Sequence, residues 1–161
     1  MTATEVRREL EIDAALLAIA AGLIHAVAAV SHFGQYWLFG AFFAVLAPAQ
    51  IAWGALVYRG AARSLLVAGA WGSAGVALLW LVTRTVGLPI GPHAGAPEAV
   101  GPLDGLATLD EQVVVILVLA LLRWPSLRPH AIRFARRAGP AAGIGLTMAS
   151  LVSLTLGVHA H

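Results

Sequence analysis

Apolar runs of nearly bilayer-spanning length, parted by short charged stretches, decide what this chain can become. A helix needs about 20 mostly apolar residues to cross the hydrocarbon core. Five runs approach that length: 14–30, 37–58, 64–82, 106–124 and 140–158. The fourth is the weakest, because Asp110 and Glu111 lie inside it and its unbroken apolar part is only Val113 to Leu122. Hydrophobic residues make up 60% of the 161 residues and charged ones 11%, against about half and a quarter in soluble domains. With a mean hydropathy of +0.85, the composition excludes an ordinary water-soluble domain. The expectation is an all-α, single-domain integral membrane bundle of five transmembrane helices.

The sequence pI of 9.9 would suggest a nucleic-acid partner if the basic residues formed a patch with aromatics. They do not. All ten are arginines, and they flank the apolar runs. Cytoplasmic loops carry the excess of positive charge. An N-terminus inside places Arg7, Arg8, Arg59, Arg63, Arg123, Arg128, Arg133, Arg136 and Arg137 on the cytoplasmic side and leaves Arg84 alone outside. Five spans with the C-terminus outside is the simple threading that gives this split. Arg7 and Arg8 before an apolar run that contains Ala26-Val27-Ala28 have the outline of a cleaved signal peptide. The acidic residues Glu5, Glu9, Glu11 and Asp13 in the same stretch argue for an uncleaved span.

In lipid, helices associate through close packing of small residues. At about 100° per residue, Ala18, Ala21, His25, Ala29 and His32 share one face of the first helix, with Leu16, Ile19, Leu23, Val27 and Val30 opposite. The first set should face protein and the second lipid. Gly69, Ser73, Ala77, Trp80 and Arg84 form a similar face on the third helix. Gly139 and Gly143 make a GxxxG at the start of the fifth, suited to bundle packing, a homo-oligomer or a larger membrane complex. The segment 84–105 contains four prolines and five glycines between Gly87 and Gly105, which forbids a continuous helix. It is too apolar for easy disorder and should fold over the helix ends as an ordered extracytoplasmic cap.

Ionisable groups at membrane depth are costly and are functional candidates by default. His25 lies within the first helix and His32 two turns above it. Gln50 falls mid-way along the second, on a face with Phe43, Ala47, Trp53 and Gly54. Arg84 ends the third helix, Asp110 and Glu111 begin the fourth, and the outer segment adds His93, Glu98 and Asp104. These would converge on one outward-facing pocket, with Gln50, Trp53, Arg84, Asp110 and Glu111 as ligand-binding residues. His25, His32 and His93 would be candidate metal ligands. Imidazoles and carboxylates without thiols suit borderline or hard divalent ions, and a histidine pair also suits haem. Yet His25 and His32 stand about 10.5 Å apart along the helix axis, too far to share one ion directly.

Ordinary roles compete with each of these. His25 could donate to Gln50 across a helix interface, and His32 could be an interfacial residue among Phe33, Tyr36 and Trp37. Thr108-Leu109-Asp110-Glu111 matches a capping box, which would make Glu111 a helix cap, and Asp104 could cap a helix starting at Gly105. Arg84 could snorkel, pair with Asp110 or Glu111, or stack on Trp80. The terminal His159-Ala160-His161 is a potential scavenger of metal, and the stretch from Arg123 to Arg137 a potential lipid-headgroup contact. No cysteine is present, so disulfides, thiolate metal sites, iron–sulfur clusters and thiol catalysis are excluded. There is no Ser/His/Asp constellation, phosphate-cradling glycine loop or HExxH.

Three stretches carry a resemblance: His32-Phe33 with Gly40-Ala41-Phe42-Phe43 and Ala49-Gln50; Leu81-Val82-Thr83-Arg84-Thr85-Val86-Gly87-Leu88-Pro89-Ile90-Gly91-Pro92; and Val100-Gly101-Pro102-Leu103-Asp104 through Glu111. Over residues 20–122 the chain resembles small polytopic membrane proteins of high-GC actinobacteria. That resemblance implies a bacterial source and carries no activity. The expected function is an outward-facing polar pocket that binds or transports a metal ion or small polar ligand. Two alternatives stand beside it: a membrane redox protein holding haem or quinone, and a non-catalytic accessory subunit.

Overall fold

A computed structural model describes residues 2–123 and residue 152. The fifth apolar run, 140–158, the basic stretch beyond Arg123, the Gly139/Gly143 motif and the histidine tail lie outside the described residues. Within them the chain is all-helical, with α1 Ala3–Gln35, α2 Trp37–Arg59, α3 Arg63–Thr85 and α4 Pro102–Leu122. All four helices are long and apolar enough to cross a membrane. At 1.5 Å per residue, α2, α3 and α4 are about 30–35 Å long, the thickness of a bilayer core.

Several boundaries differ from the sequence expectation, among them the end of α1 at Gln35 rather than 30, and two helix starts have a local cause. α1 starts at Ala3 rather than at residue 14, because Thr2 and Glu5 build a complete capping box ahead of the acidic cluster. Helix then runs through Glu9, Glu11 and Asp13, with Arg7 Nε 3.1 Å and Arg8 Nη1 3.4 Å from the Glu11 carboxylate. α4 starts at Pro102, where a proline at the first helical position costs no hydrogen bond. The four residues gained at its start carry the fourth apolar run to a full spanning length.

α1 is the central helix. It packs along α2 on one side and α4 on another, and α3 packs on the far side of α4. Ala18, Ala21, His25 and Ala29 are buried, as expected, and Val27 and Val30 are exposed. Leu17, Ala20 and Ile24, on the flank between the two faces, are buried as well, and Leu16, Ile19 and Leu23 are half-buried. On α3, Ser73 is buried among the half-buried Gly69, Ala77, Trp80 and Arg84, while Trp71 is 77% exposed on the other side.

The α1–α2 contact depends on missing side chains. A Cβ on Gly54 would lie 2.7 Å from the Ala15 carbonyl oxygen, and one on Gly22 would lie 2.8 Å from Ile51 Cγ1. Tyr36 alone links the two helices, in an extended conformation. The Phe33 ring fills the space that a side chain at Gly40 would need. A cluster of Leu10, Ala14, Leu17, Val57, Leu66, Val118 and their neighbours forms the apolar core at the end of the bundle opposite the 86–101 loop.

Because backbone rather than a flexible side chain opposes Gly54, even one methyl group should be felt. Gly54→Ala is expected to cost about 1–3 kcal/mol through overpacking. Gly72→Ala, with open space around it, should be neutral or stabilising. Thermal unfolding of the two variants in mild detergent checks this contrast.

Candidate functional site

The residues singled out in the sequence do not meet in one pocket. The structure distributes them over a polar line inside the bundle, a cavity under the loop, and a clasp that joins the loop to the helices.

The buried line takes one side chain from each helix. His25 of α1 has Nδ1 2.7 Å from Gln50 Oε1 of α2. Gln50 Nε2 donates to Glu111 Oε1 of α4, and Ser73 of α3 makes a further side-chain hydrogen bond to the same carboxylate. Glu111 is 1% exposed and His25 5%. The four residues lie about 14–20 Å from the loop end of their helices, close to mid-length in α2, α3 and α4. Since a carboxylate only accepts, the Gln50 amide presents nitrogen to Glu111 and oxygen to His25. His25 Nδ1 therefore carries the hydrogen, and Nε2 is left as the ring's acceptor. An isolated buried carboxylate would be far too costly at this depth. Three neighbouring helices supply what water cannot.

Glu111 is thus no helix cap. With the helix starting at Pro102, Thr108 lies in its second turn and its hydroxyl donates to the Asp104 carbonyl at 2.8 Å. Glu111 instead faces the bundle beside Asp110, which is wholly buried.

The cavity lies at the other polar level, between the ends of α1 and α2 and the loop, with a volume of about 630 Å³. Its polar lining comes from His32, Gln35, His93 and Glu98, and its walls include Phe39, Leu88, Ile90 and Pro92. His32 Nδ1 donates to the Ala28 carbonyl of its own helix at 2.8 Å. This bond fixes the tautomer and leaves Nε2 as acceptor. Phe43 lies against both His32 of the cavity and His25 of the buried line. Its ring centroid is 4.6 Å from that of His32 and 5.3 Å from that of His25.

The loop over the cavity folds back as expected. Gly95 N–H donates to Leu88 O at 2.7 Å and Glu98 N–H to Thr83 O at 2.9 Å. Gly87, at φ 77°, admits the Ala96 backbone where any Cβ would stand within 2.5 Å of the Ala96 oxygen. Arg84 holds the assembly. Its Nη1 lies 2.6 Å from Glu98 Oε2, its Nη2 pairs with Asp104, and its guanidinium lies 5.6 Å from the Trp80 ring centroid. Trp80 Nε1 donates to Asp104 at 3.0 Å, and Asp104 also accepts from the Gly101 N–H at the start of α4. The stacking on Trp80 was foreseeable. The pairing with Asp110 or Glu111 does not occur, because Asp104 and Glu98 lie nearer the end of α3.

Trp53 belongs to neither polar site. Its indole donates to the Leu65 carbonyl at 2.8 Å and covers Gly69, where a Cβ would lie 2.2 Å from the ring. It closes α2 against α3. His25, His32 and His93 do not assemble as metal ligands: among the described residues no group of three His, Asp or Glu side chains could hold an ion. Gln35 is the participant that sequence reasoning passed over, while Ser73 and Phe43 were placed on packed faces of α3 and α2 without being read as site residues.

No family model matches the chain, and no curated protein or solved structure is significantly similar to it. The site therefore stands on its own geometry.

Arg84→Met removes the loop's ionic anchor and leaves Asp104 and Glu98 without their cation. A loss of about 1–3 kcal/mol of local stability is expected, seen as hydrogen exchange about tenfold faster or more in the 86–101 segment, with the α1–α2 contact unchanged. Gln50→Leu strands two buried groups, His25 Nδ1 and Glu111. Global stability should fall by about 1–3 kcal/mol, measurable by thermal unfolding.

Proposed function

We propose that the protein is a multi-pass protein of a bacterial cytoplasmic membrane that binds or transports a small polar organic molecule through the cavity beneath the 86–101 loop. One observation carries this reading: about 630 Å³ of partly open space lined by apolar walls and a few polar groups, within the size range of small-molecule sites. His32 and His93 offer imidazole donors or acceptors, Gln35 an amide and Glu98 a carboxylate.

The placement of charge supports an outward-facing cavity. Arg7, Arg8, Arg59, Arg63 and Arg123 all fall at the end of the bundle away from the loop, the end that the positive-inside rule assigns to the cytoplasm. Arg84, the exception, is neutralised by Glu98 and Asp104. A fifth span over 140–158 would then carry the C-terminus outside. An organic ligand is better supported than a metal ion, since among the described residues no group of three His, Asp or Glu side chains that could hold an ion is found. A quinone head held by His32 and His93 would use the same space, and its apolar walls favour that version among redox readings.

The test compares wild type with Ala99→Trp, which fills the cavity from a residue that lines it. Both are purified in mild detergent, extracted with organic solvent and analysed by mass spectrometry. A small molecule present at near one equivalent in wild type and absent from an equally stable Ala99→Trp is the expected outcome. Its mass distinguishes a quinone from other ligands. If wild type carries none, and neither amines, carboxylates nor quinones raise its Tm above that of Ala99→Trp, the binding reading fails and a purely structural subunit takes its place.

A further inference from the structure

The buried line has properties that a merely structural hydrogen bond would not need. It joins two titratable side chains, His25 and Glu111, through an amide whose two ends have opposite hydrogen-bonding character. It is also closed on one side. Beyond it, Ala14, Leu17, Ala18, Val57, Leu66, Val114, Leu117 and Val118 pack as an apolar cluster, with the buried carboxyls of Glu11 and Asp13 farther toward the end of α1. Toward the loop cavity the Phe43 ring lies against both His25 and His32.

Among the described residues, few other charges face it. On α1 the neighbouring titratable group is His32, and Glu11 and Asp13 lie at the opposite end beside the apolar core. On α2 none occurs between Tyr36 and Tyr58. On α3 the hydroxyl of Ser73 is the facing polar group, and Arg84 is occupied at the loop end. On α4 Asp110 adjoins Glu111, with Asp104 held by Arg84 two turns away.

We propose that His25, Gln50 and Glu111 form a binding site for one proton at mid-depth in the bundle, loaded from the loop side, and that the Gln50 amide turns over when the proton arrives. In the unloaded state, Nδ1–H of neutral His25 donates to Gln50 Oε1 and Gln50 Nε2–H donates to the Glu111 carboxylate. The entering proton bonds to His25 Nε2. One arrangement would keep an imidazolium and a carboxylate, separated by the amide, out of contact with water. The other moves the Nδ1 hydrogen's equivalent to Glu111. His25 then carries hydrogen on Nε2 alone, Glu111 is a neutral acid, and the turned amide donates to Nδ1 while its oxygen accepts from the Glu111 hydroxyl. Both arrangements hold the same number of protons. The second contains no separated buried charges, which the low-dielectric interior favours.

The signature is a histidine that changes tautomer without becoming charged. Nitrogen NMR of the full chain in detergent, with isotopically labelled histidine, reads it directly, and the His25 signal is identified by its loss in His25→Asn. As pH falls, wild-type His25 is expected to lose its Nδ1–H signal and gain Nε2–H while the ring stays neutral. Infrared difference spectra over the same range should show a new protonated-carboxyl band, lost in Glu111→Gln and retained in Asp110→Asn. A ring that becomes imidazolium on acidification, or one that keeps a single tautomer throughout, overturns the proposal. So does a carboxyl band that disappears in Asp110→Asn and survives in Glu111→Gln. The wild-type histidine measurement needs no variant, so poor folding of Glu111→Gln leaves it decisive. It is independent of the small-molecule reading, because an empty loop cavity would leave the tautomer change unaltered.

Discussion

A carboxylate placed halfway along an apolar helix is the constraint around which this bundle is arranged. Glu111 has no water to turn to, and each unsatisfied oxygen there would cost several kilocalories per mole. It is answered by an amide from α2 and a hydroxyl from α3, and the amide is in turn held by an imidazole from α1. Those bonds fix the rotation of four helices about their axes. If α4 turned by one residue, about 100°, Glu111 would face elsewhere and both Gln50 and His25 would lose their partners. Packing of small residues alone tolerates several registers in lipid, where apolar surface has no preference for protein over acyl chains. The polar line removes that freedom.

The small residues of α1 make the line possible. Gln50 reaches both His25 and Glu111 because the α1 and α2 backbones run close together, with Gly22 against Ala47 and Ile51 and Gly54 against Ala15. The same closeness lets a single residue, Tyr36, connect them. Farther along, Trp53 closes over Gly69 and brings α3 near enough for Ser73 to meet Glu111. Specificity and close packing thus depend on each other: the glycines allow the approach, and the hydrogen bonds choose the register.

Much of the membrane architecture was legible in the sequence, because apolar length and small-residue periodicity are local properties. The faces expected for α1 and α3 are the packed ones, and the proline- and glycine-rich segment is the folded-back loop. Helix starts were less legible. Thr108 to Glu111 read as a capping box because the pattern is correct, but Gly101-Pro102 stops and restarts the chain earlier and Asp104 takes the role at N3. Pairing across the bundle was least legible. The partners of Arg84 lie 14 and 20 residues away in sequence, across a loop whose path no local rule supplies. The His25–Gln50 bond was visible as an ordinary interface contact. Its extension to Glu111 and Ser73 depends on the order in which helices pack, α2 and α4 flanking α1, which the sequence does not state.

The two polar levels differ in how they treat water, and this difference gives the bundle its direction. The loop cavity is partly open, and its histidines and Glu98 are bathed or half-bathed. The line beneath it is set deeper, with His25 and Glu111 buried and Gln50 half-buried, an apolar core on the far side and the Phe43 ring against His25. Movement of Phe43 would not connect the two ends of the bundle. Passage to the far end would require the packing around Leu17, Val57, Leu66 and Val118 to separate, a rearrangement of helices rather than of one side chain. Exchange between the midpoint and the loop side is therefore the movement this arrangement makes easiest, and the clasp of Arg84 with Asp104 and Glu98 stands where a helix-level opening would have to begin.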